Sequence, residues 1–158
     1  MLKFLPPAVP LFRELPAFLC EIPNGIVVEV RTVVSESIIC ERAFEFGRRI
    51  LKLSDKLATR GFGGRHVAGQ LVKCGTSIGA NADESQEAQT KADFIAKLSV
   101  SRKEAKESGY WLRLAIAAQL VTIKEVEWEL DEANQLLKMI RSAIVTAQSS
   151  ARRGRTLD

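Results

Sequence analysis

Beyond Pro23 the chain contains no proline, and in all 158 residues it has one histidine, one tyrosine and two tryptophans. Each scarcity removes a class of function. One histidine, His66, rules out the paired Glu-x-x-His motifs with which helical bundles hold two metal ions. Three cysteines, Cys20, Cys40 and Cys74, stand far apart with no CxxC pair. Neither a zinc ribbon nor a disulfide framework follows, and reduced thiols in a cytoplasmic protein are the expectation. No apolar run is long enough to span a bilayer, so no membrane role is expected. Aromatics make up 6% of the chain, which implies an aliphatic core and gives no RNP-type motif for sequence-specific base reading.

What is present divides in two. All five prolines lie within residues 1–33, which therefore cannot form a long helix. They make a poor signal peptide, because prolines break the apolar stretch and no small-x-small cleavage site follows. Residues 1–33 are expected to be a poorly ordered extension. A second reading is that translation starts near Val33 or Val34. Within the extension, "IVVEVRTVV" has strand composition but no partner strand.

From Ser35 onward the periodicity is helical. The first seam is Ile39, Ala43, Phe46, Ile50, Leu53 and Leu57, in alternating steps of four and three. Gly61, Gly63 and Gly64 are expected to stop that helix. A second helix, from Arg65 into the high 80s, carries Val67, Leu71, Cys74, Ile78, Asn81 and Ser85 on one seam. The third begins at Thr90, where Thr90-Lys-Ala-Asp93 reads as a capping box. Its seam is Ile95, Leu98, Ala105, Gly109, Leu112 and Ile116, interrupted by Arg102. The fourth carries Val126, Leu130, Ala133, Leu137, Ile140, Ile144 and Ala147. The carboxylates Glu125, Glu127, Glu129, Asp131 and Glu132 suit the positive end of its dipole. Four such helices with short connections predict an all-α, antiparallel up-down-up-down four-helix bundle over 34–149, followed by a basic flexible tail over 150–158.

No constellation carries chemistry. "CGTSIGAN" lacks the GK[ST] and the preceding strand of a phosphate loop. Gly75 and Gly79, four apart in mid-helix, cost about 1 kcal/mol each relative to alanine and suggest a face built for close helix approach. Asn81 falls on the same seam, where a polar residue fixes register or assembly; an exposed Asn near a helix end is the alternative. Glu84 with Glu87, and Glu104 with Glu107, share helix faces, but solvated or salt-bridged glutamates explain them, with Lys103, Lys106 and Arg113 as partners. His66 and Cys74 are separated by ~12 Å of helix rise, beyond hydrogen-bond reach. Neither a catalytic role, nor a metal, nor a cofactor is expected, and the chain reads as a non-enzyme. Tyr110 and Trp111 read as packing residues.

The net charge is +4, and the cations form stripes. Arg49, Lys52, Lys56 and Arg60 fall within roughly 80° of arc on the first helix, at 100° per residue. Arg102, Lys106 and Arg113 fall within roughly 40° on the third, and Arg152, Arg153 and Arg155 make the tail basic. These are the candidate nucleic-acid contacts, since phosphate binding needs charges rather than a motif. A solvated face interleaved with Asp55, Glu45 and Glu107 is the competing reading.

The segment "QLVKCGTSIGANADESQEAQTKADFIAKLSVSRKEAKESGYWLRL", Gln70 to Leu114, resembles the signature of the four helix bundle proteins that include the 23S rRNA intervening sequence proteins. "ERAFEFGRRILKLSDKL" and "LLKMIRSAIVTA" extend the likeness to roughly Glu36–Gln148. Departures are Cys74, Ser85 and Gly109, where relatives often carry Ser, Ala and Thr. The resemblance implies a bacterial homo-oligomeric bundle, a closed homopentamer, without enzymatic activity. A related branch, the accessory variability determinant of diversity-generating retroelements, works with nucleic acid, which makes RNA or a ribonucleoprotein the partner class implied by analogy. A protein-interaction scaffold with no nucleic-acid role is the alternative.

Overall fold

The computed structural model describes the backbone of residues 30–153 and the side chains of residues 38–149. Of the Pro-containing extension 1–33, residues 1–29 lie outside the described residues. The chain divides into units Met1–Arg31 and Thr32–Asp158, and the second holds the bundle. Four helices follow one another: α1 (Val30–Ala58), α2 (Gly61–Gln86), α3 (Lys91–Ala117) and α4 (Ile123–Arg153). Among the described residues there is no strand. The chain is an all-α four-helix bundle. α1 takes in residues 30–34, the end of the segment with strand composition. With no strand among the described residues to pair with, a helix is what satisfies that backbone internally.

The α1 seam is buried throughout, with Ile39, Ala43, Phe46, Ile50, Leu53 and Leu57 all at 8% exposure or less. Side-chain pairings give the direction of neighbours. On α3, Lys97, Ser101 and Ser108 meet Glu84, Ile78 and Cys74 of α2 in reverse order. On α1, Arg42 and Arg49 meet Glu132 and Glu129 of α4, again in reverse. Gly79 packs on Ala43 and Gly75 on Ile50, so α1 and α2 are antiparallel as well.

The glycine cluster between α1 and α2 behaves differently from the expectation. α2 starts at Gly61, not Arg65, so the glycines open the second helix as well as ending the first. Only Gly61 takes the left-handed conformation, φ +76°. Gly64 is helical, and a Cβ there would sit 2.2 Å from the Leu57 carbonyl oxygen. One glycine makes the turn and another lets the helix ends touch.

At the α2–α3 corner the N-cap half of the predicted capping box forms. Thr90 is the N-cap, its side chain accepting from the Asp93 N–H at 3.1 Å. The α3–α4 corner is a Schellman motif. The N–H of Leu120 donates to the Ala115 carbonyl and that of Gln119 to the Ile116 carbonyl, both at 2.9 Å. Gln119 occupies the left-handed position at φ 57°, where a Cβ is disfavoured. Gln119→Gly is therefore expected to raise stability by about 1 kcal/mol, seen as a higher urea midpoint. An unchanged or lower midpoint would mean that the glutamine side chain compensates for the strain.

Two seams run differently from the periodicity. In α3 the buried set includes Ser101 and Ser108, while Ile95 and Ile116 are only partly buried. Ser101 Oγ donates to the Ile78 carbonyl at 2.8 Å, and Ser108 Oγ lies 3.1 Å from Cys74 Sγ and 2.9 Å from the Glu104 carbonyl. Hydroxyls satisfied in this way are tolerated in a core. In α4, Leu136 is fully buried and Leu137 only partly. The inward face is thus Val126, Glu129, Ala133, Leu136, Ile140, and it carries a carboxylate.

Candidate nucleic-acid interface

The four α1 cations do not form one uniform ridge. Arg49 Nε donates to Glu129 Oε1 at 2.8 Å, and its guanidinium lies 4.1 Å from the Trp128 ring centroid. Seven residues earlier on α1, Arg42 grips Glu132 with both Nε and Nη2 at 2.7 Å. Its Nη1 donates to Met139 Sδ at 3.2 Å. Glu129 and Glu132 are 5% and 7% exposed, so they are core groups rather than dipole-facing surface acids. α4 starts at Ile123 and only Glu125 stands in its first turn. The desolvation of each buried carboxylate is offset by a guanidinium aimed at it.

Lys52, Lys56 and Arg60 remain exposed. Lys52 and Lys56 border a hollow of about 240 Å³ whose walls include Arg49, Glu125 and Glu129. Lys56 and Arg60 border a larger one of about 530 Å³, floored by Leu53, Leu120 and Val121. Glu125 closes both. It accepts from the Thr122 N–H at 2.8 Å and the Thr122 hydroxyl at 2.9 Å. These bonds hold its carboxyl below the usual range, with smaller help from Arg60 and Lys56. Its charge is thus partly committed to capping α4.

On α3, Arg102 is half-buried, and Lys106 and Arg113 are exposed. Arg113 Nη1 lies over Gly109, 3.4 Å from where a Cβ would stand. Among the described residues no ion pair includes these three. Nor do Lys103, Lys106 and Arg113 pair with Glu104 and Glu107. Glu107 accepts from the Trp111 indole N–H at 3.2 Å. Glu104 is half-buried, and burial first, then Glu107, raises its carboxyl. Trp111 meets His66 of α2 edge-on at 5.6 Å. Arg113, about 200° further round the helix, faces the other way. The side chains of Arg152 and Arg153, and all of Arg155, lie outside the described residues; the backbone of the first two ends α4.

The residues assigned to packing and assembly separate too. A Cβ on Gly75 would stand 2.8 Å from Ile50 Cγ2, so Gly75 serves contact within the chain. Gly79 lies 3.5 Å, by the same measure, from the Ala43 backbone and also lines an open groove. Asn81 is half-buried beside the seam, not on it. Its Nδ2 donates to the Ser77 carbonyl one turn back at 2.9 Å, and Ala82 takes the fully buried position.

Cys74 is buried, and burial raises its thiol, which suits packing rather than nucleophilic attack. Among the described residues no three His, Cys, Asp or Glu side chains gather where they could hold a metal. No helix among them is long and apolar enough to cross a membrane.

The paired arginines were the part sequence reasoning missed. The signal was available: Glu129 stands at seam spacing, three after Val126 and four before Ala133. A carboxylate there requires a cation opposite, and Arg42 and Arg49 repeat every seven residues on α1.

No curated protein matches the chain. A crystal structure of a protein of unknown function from the S23 ribosomal protein family, from Bacteroides thetaiotaomicron, is 34% identical. It aligns with a TM-score of 0.65 over 70% of this chain and 97% of its own. The family model for the 23S rRNA-intervening sequence protein matches residues 35–142, the segment that supplies the buried seams of α1, α2 and α3 and most of that of α4. This chain therefore belongs to the 23S rRNA-intervening sequence protein family.

Proposed function

We propose that the protein is a non-enzymatic, self-associating bundle of the bacterial cytoplasm, a homopentamer by resemblance, that holds RNA or a ribonucleoprotein through phosphate contacts. The observation that carries the RNA part is the exposed row Lys52, Lys56 and Arg60 on one side of α1, left open while Arg49 is held by Glu129. The family's names, which refer to ribosomal RNA and a ribosomal protein, point to the same partner class.

The test is RNA retention by the variant Lys52→Glu/Lys56→Glu/Arg60→Glu, with Arg49 left in place. Affinity is expected to fall at least about tenfold at low salt. The dependence of log K on log salt should flatten by roughly 2, for three lost phosphate contacts on a single strand. Equal retention by the variant and the wild type would remove this surface from the account. Interleaved Asp55 and Glu125 favour a second reading, a scaffold whose charges only keep it in solution. Protein partners that survive nuclease treatment in a pulldown, with no RNA retained, would favour the scaffold.

A further inference from the structure

One exposed apolar surface of α1 lies round the helix from the row Lys52, Lys56 and Arg60. Phe44 is 74% exposed and Leu51 46%. They wall a groove of about 430 Å³ between α1 and α2, floored by Gly47, Gly79 and Ala80, with Arg48 and Asp83 on its rims. Among the described residues no packing need explains a phenylalanine on that rim, since Ala43 and Phe46 already supply the inward face. The floor is backbone and methyl groups, so an incoming ridge of side chains can sit deep.

The same molecule carries such a ridge. On α3, Val100, Lys103, Glu107, Tyr110 and Leu114 fall within roughly 80° of arc, on the side opposite the buried Leu98, Ala105 and Leu112. Val100, Tyr110 and Leu114 are 38%, 51% and 36% exposed. The ridge from Val100 to Leu114 is roughly 21 Å long and the groove from Cys40 to Leu51 roughly 17 Å. Between its apolar residues the ridge carries one cation and one anion, Lys103 and Glu107, and the groove rims carry one of each, Asp83 and Arg48; Glu45 holds Arg48 through Nε and Nη2 at 2.7 and 2.6 Å, which leaves Nη1 for a further contact. Glu107 gives Oε1 to Trp111 and has its second oxygen for such a contact.

We infer that the Phe44–Leu51 groove of one copy receives the Val100–Leu114 ridge of α3 from a second copy of this chain, with Lys103 against Asp83 and Glu107 against Arg48. This rests on the self-association proposed above and names its contact. Concave and convex patches on different helices give a head-to-tail joint, which repeats from copy to copy and closes into a ring when the rotation allows.

The experiment uses the full chain and light scattering on Phe44→Glu, on Tyr110→Glu and on their mixture. Both positions are exposed, and helical circular dichroism checks that each variant folds. Each variant alone is expected to lose the wild-type mass and run as a single chain. Mixed in equal amounts they are expected to form a two-chain complex, because the intact groove of Tyr110→Glu takes the intact ridge of Phe44→Glu. Wild-type mass in either folded variant overturns the inference while leaving self-association standing. Absence of the two-chain complex overturns the pairing of groove with ridge. A wild-type chain that is monomeric at all concentrations overturns self-association itself.

Discussion

Phe46→Ala is expected to cost about 3–5 kcal/mol and to lower the thermal midpoint by roughly 10–20 °C. Phe46 is fully closed off from solvent and is the largest such side chain in the bundle. Phe94 and Trp111 reach the core only in part. The other buried residues of that core are leucines, isoleucines, valines and alanines, short or branched side chains that cannot swing into a hole of benzyl size, and the flexible Met139 packs against it only in part. The lost transfer energy and the cavity therefore add. Phe62→Ala is the control: the same atoms leave a site 82% exposed, and the change should stay within about 0.5 kcal/mol. A drop below about 5 °C for Phe46→Ala would show that the neighbouring helices close on the void.

The second large effect is expected at Arg49. Arg49→Ala leaves Glu129 nearly enclosed without its donor, and Glu129 Oε2 already lacks a partner in the structure. Removing one member of a buried pair costs about 3–5 kcal/mol. The Arg49 side chain is itself 39% exposed, so water can partly replace it and about 2–3 kcal/mol is the better expectation. The double change Arg49→Met/Glu129→Leu removes both charges while keeping bulk, and should recover most of the loss. Urea unfolding of the three proteins measures both values. A single variant as stable as the wild type would mean that Glu129 finds water or another donor. This is also why Arg49 is left untouched in the RNA experiment, where its loss would weaken the fold as well as the surface.

The contrast between the two arginine roles shows what the sequence could disclose. The buried seam of α1 was legible in full because its apolar residues keep strict steps of three and four, whereas its start was not, since the helix begins at Val30 rather than from Ser35. α3 was legible only in part, since Ser101 and Ser108 continue its seam as polar residues and a hydrophobic pattern skips them. In α4 the adjacent Leu136 and Leu137 admit two phases, and periodicity alone favoured the wrong one. Asn81 fits a seam drawn at 100° per residue, yet Ala82 is one step nearer the centre, and close approach to another helix selects the smaller residue. The α2 start was displaced because a glycine triplet signals a break without saying which glycine makes it. As for the candidate site, charge could place Lys52, Lys56 and Arg60 on one side of α1. It could not show that Arg49 looks inward, because that depends on which helix lies opposite.

The two arginine–glutamate pairs have a consequence for the order in which the chain can settle. They join residues 90 and 80 positions apart, tying the first helix of the bundle to the last. Contacts of α1 with α2, and of α2 with α3, close over a single turn, whereas these must wait for loops several times longer and carry the entropic cost of closing them. On a growing polypeptide Arg42 and Arg49 leave the ribosome well before Glu129 and Glu132 exist. Through that interval one side of α1 stands open, with Phe46 beside it, so completion of α4 is the step that seals the nascent bundle.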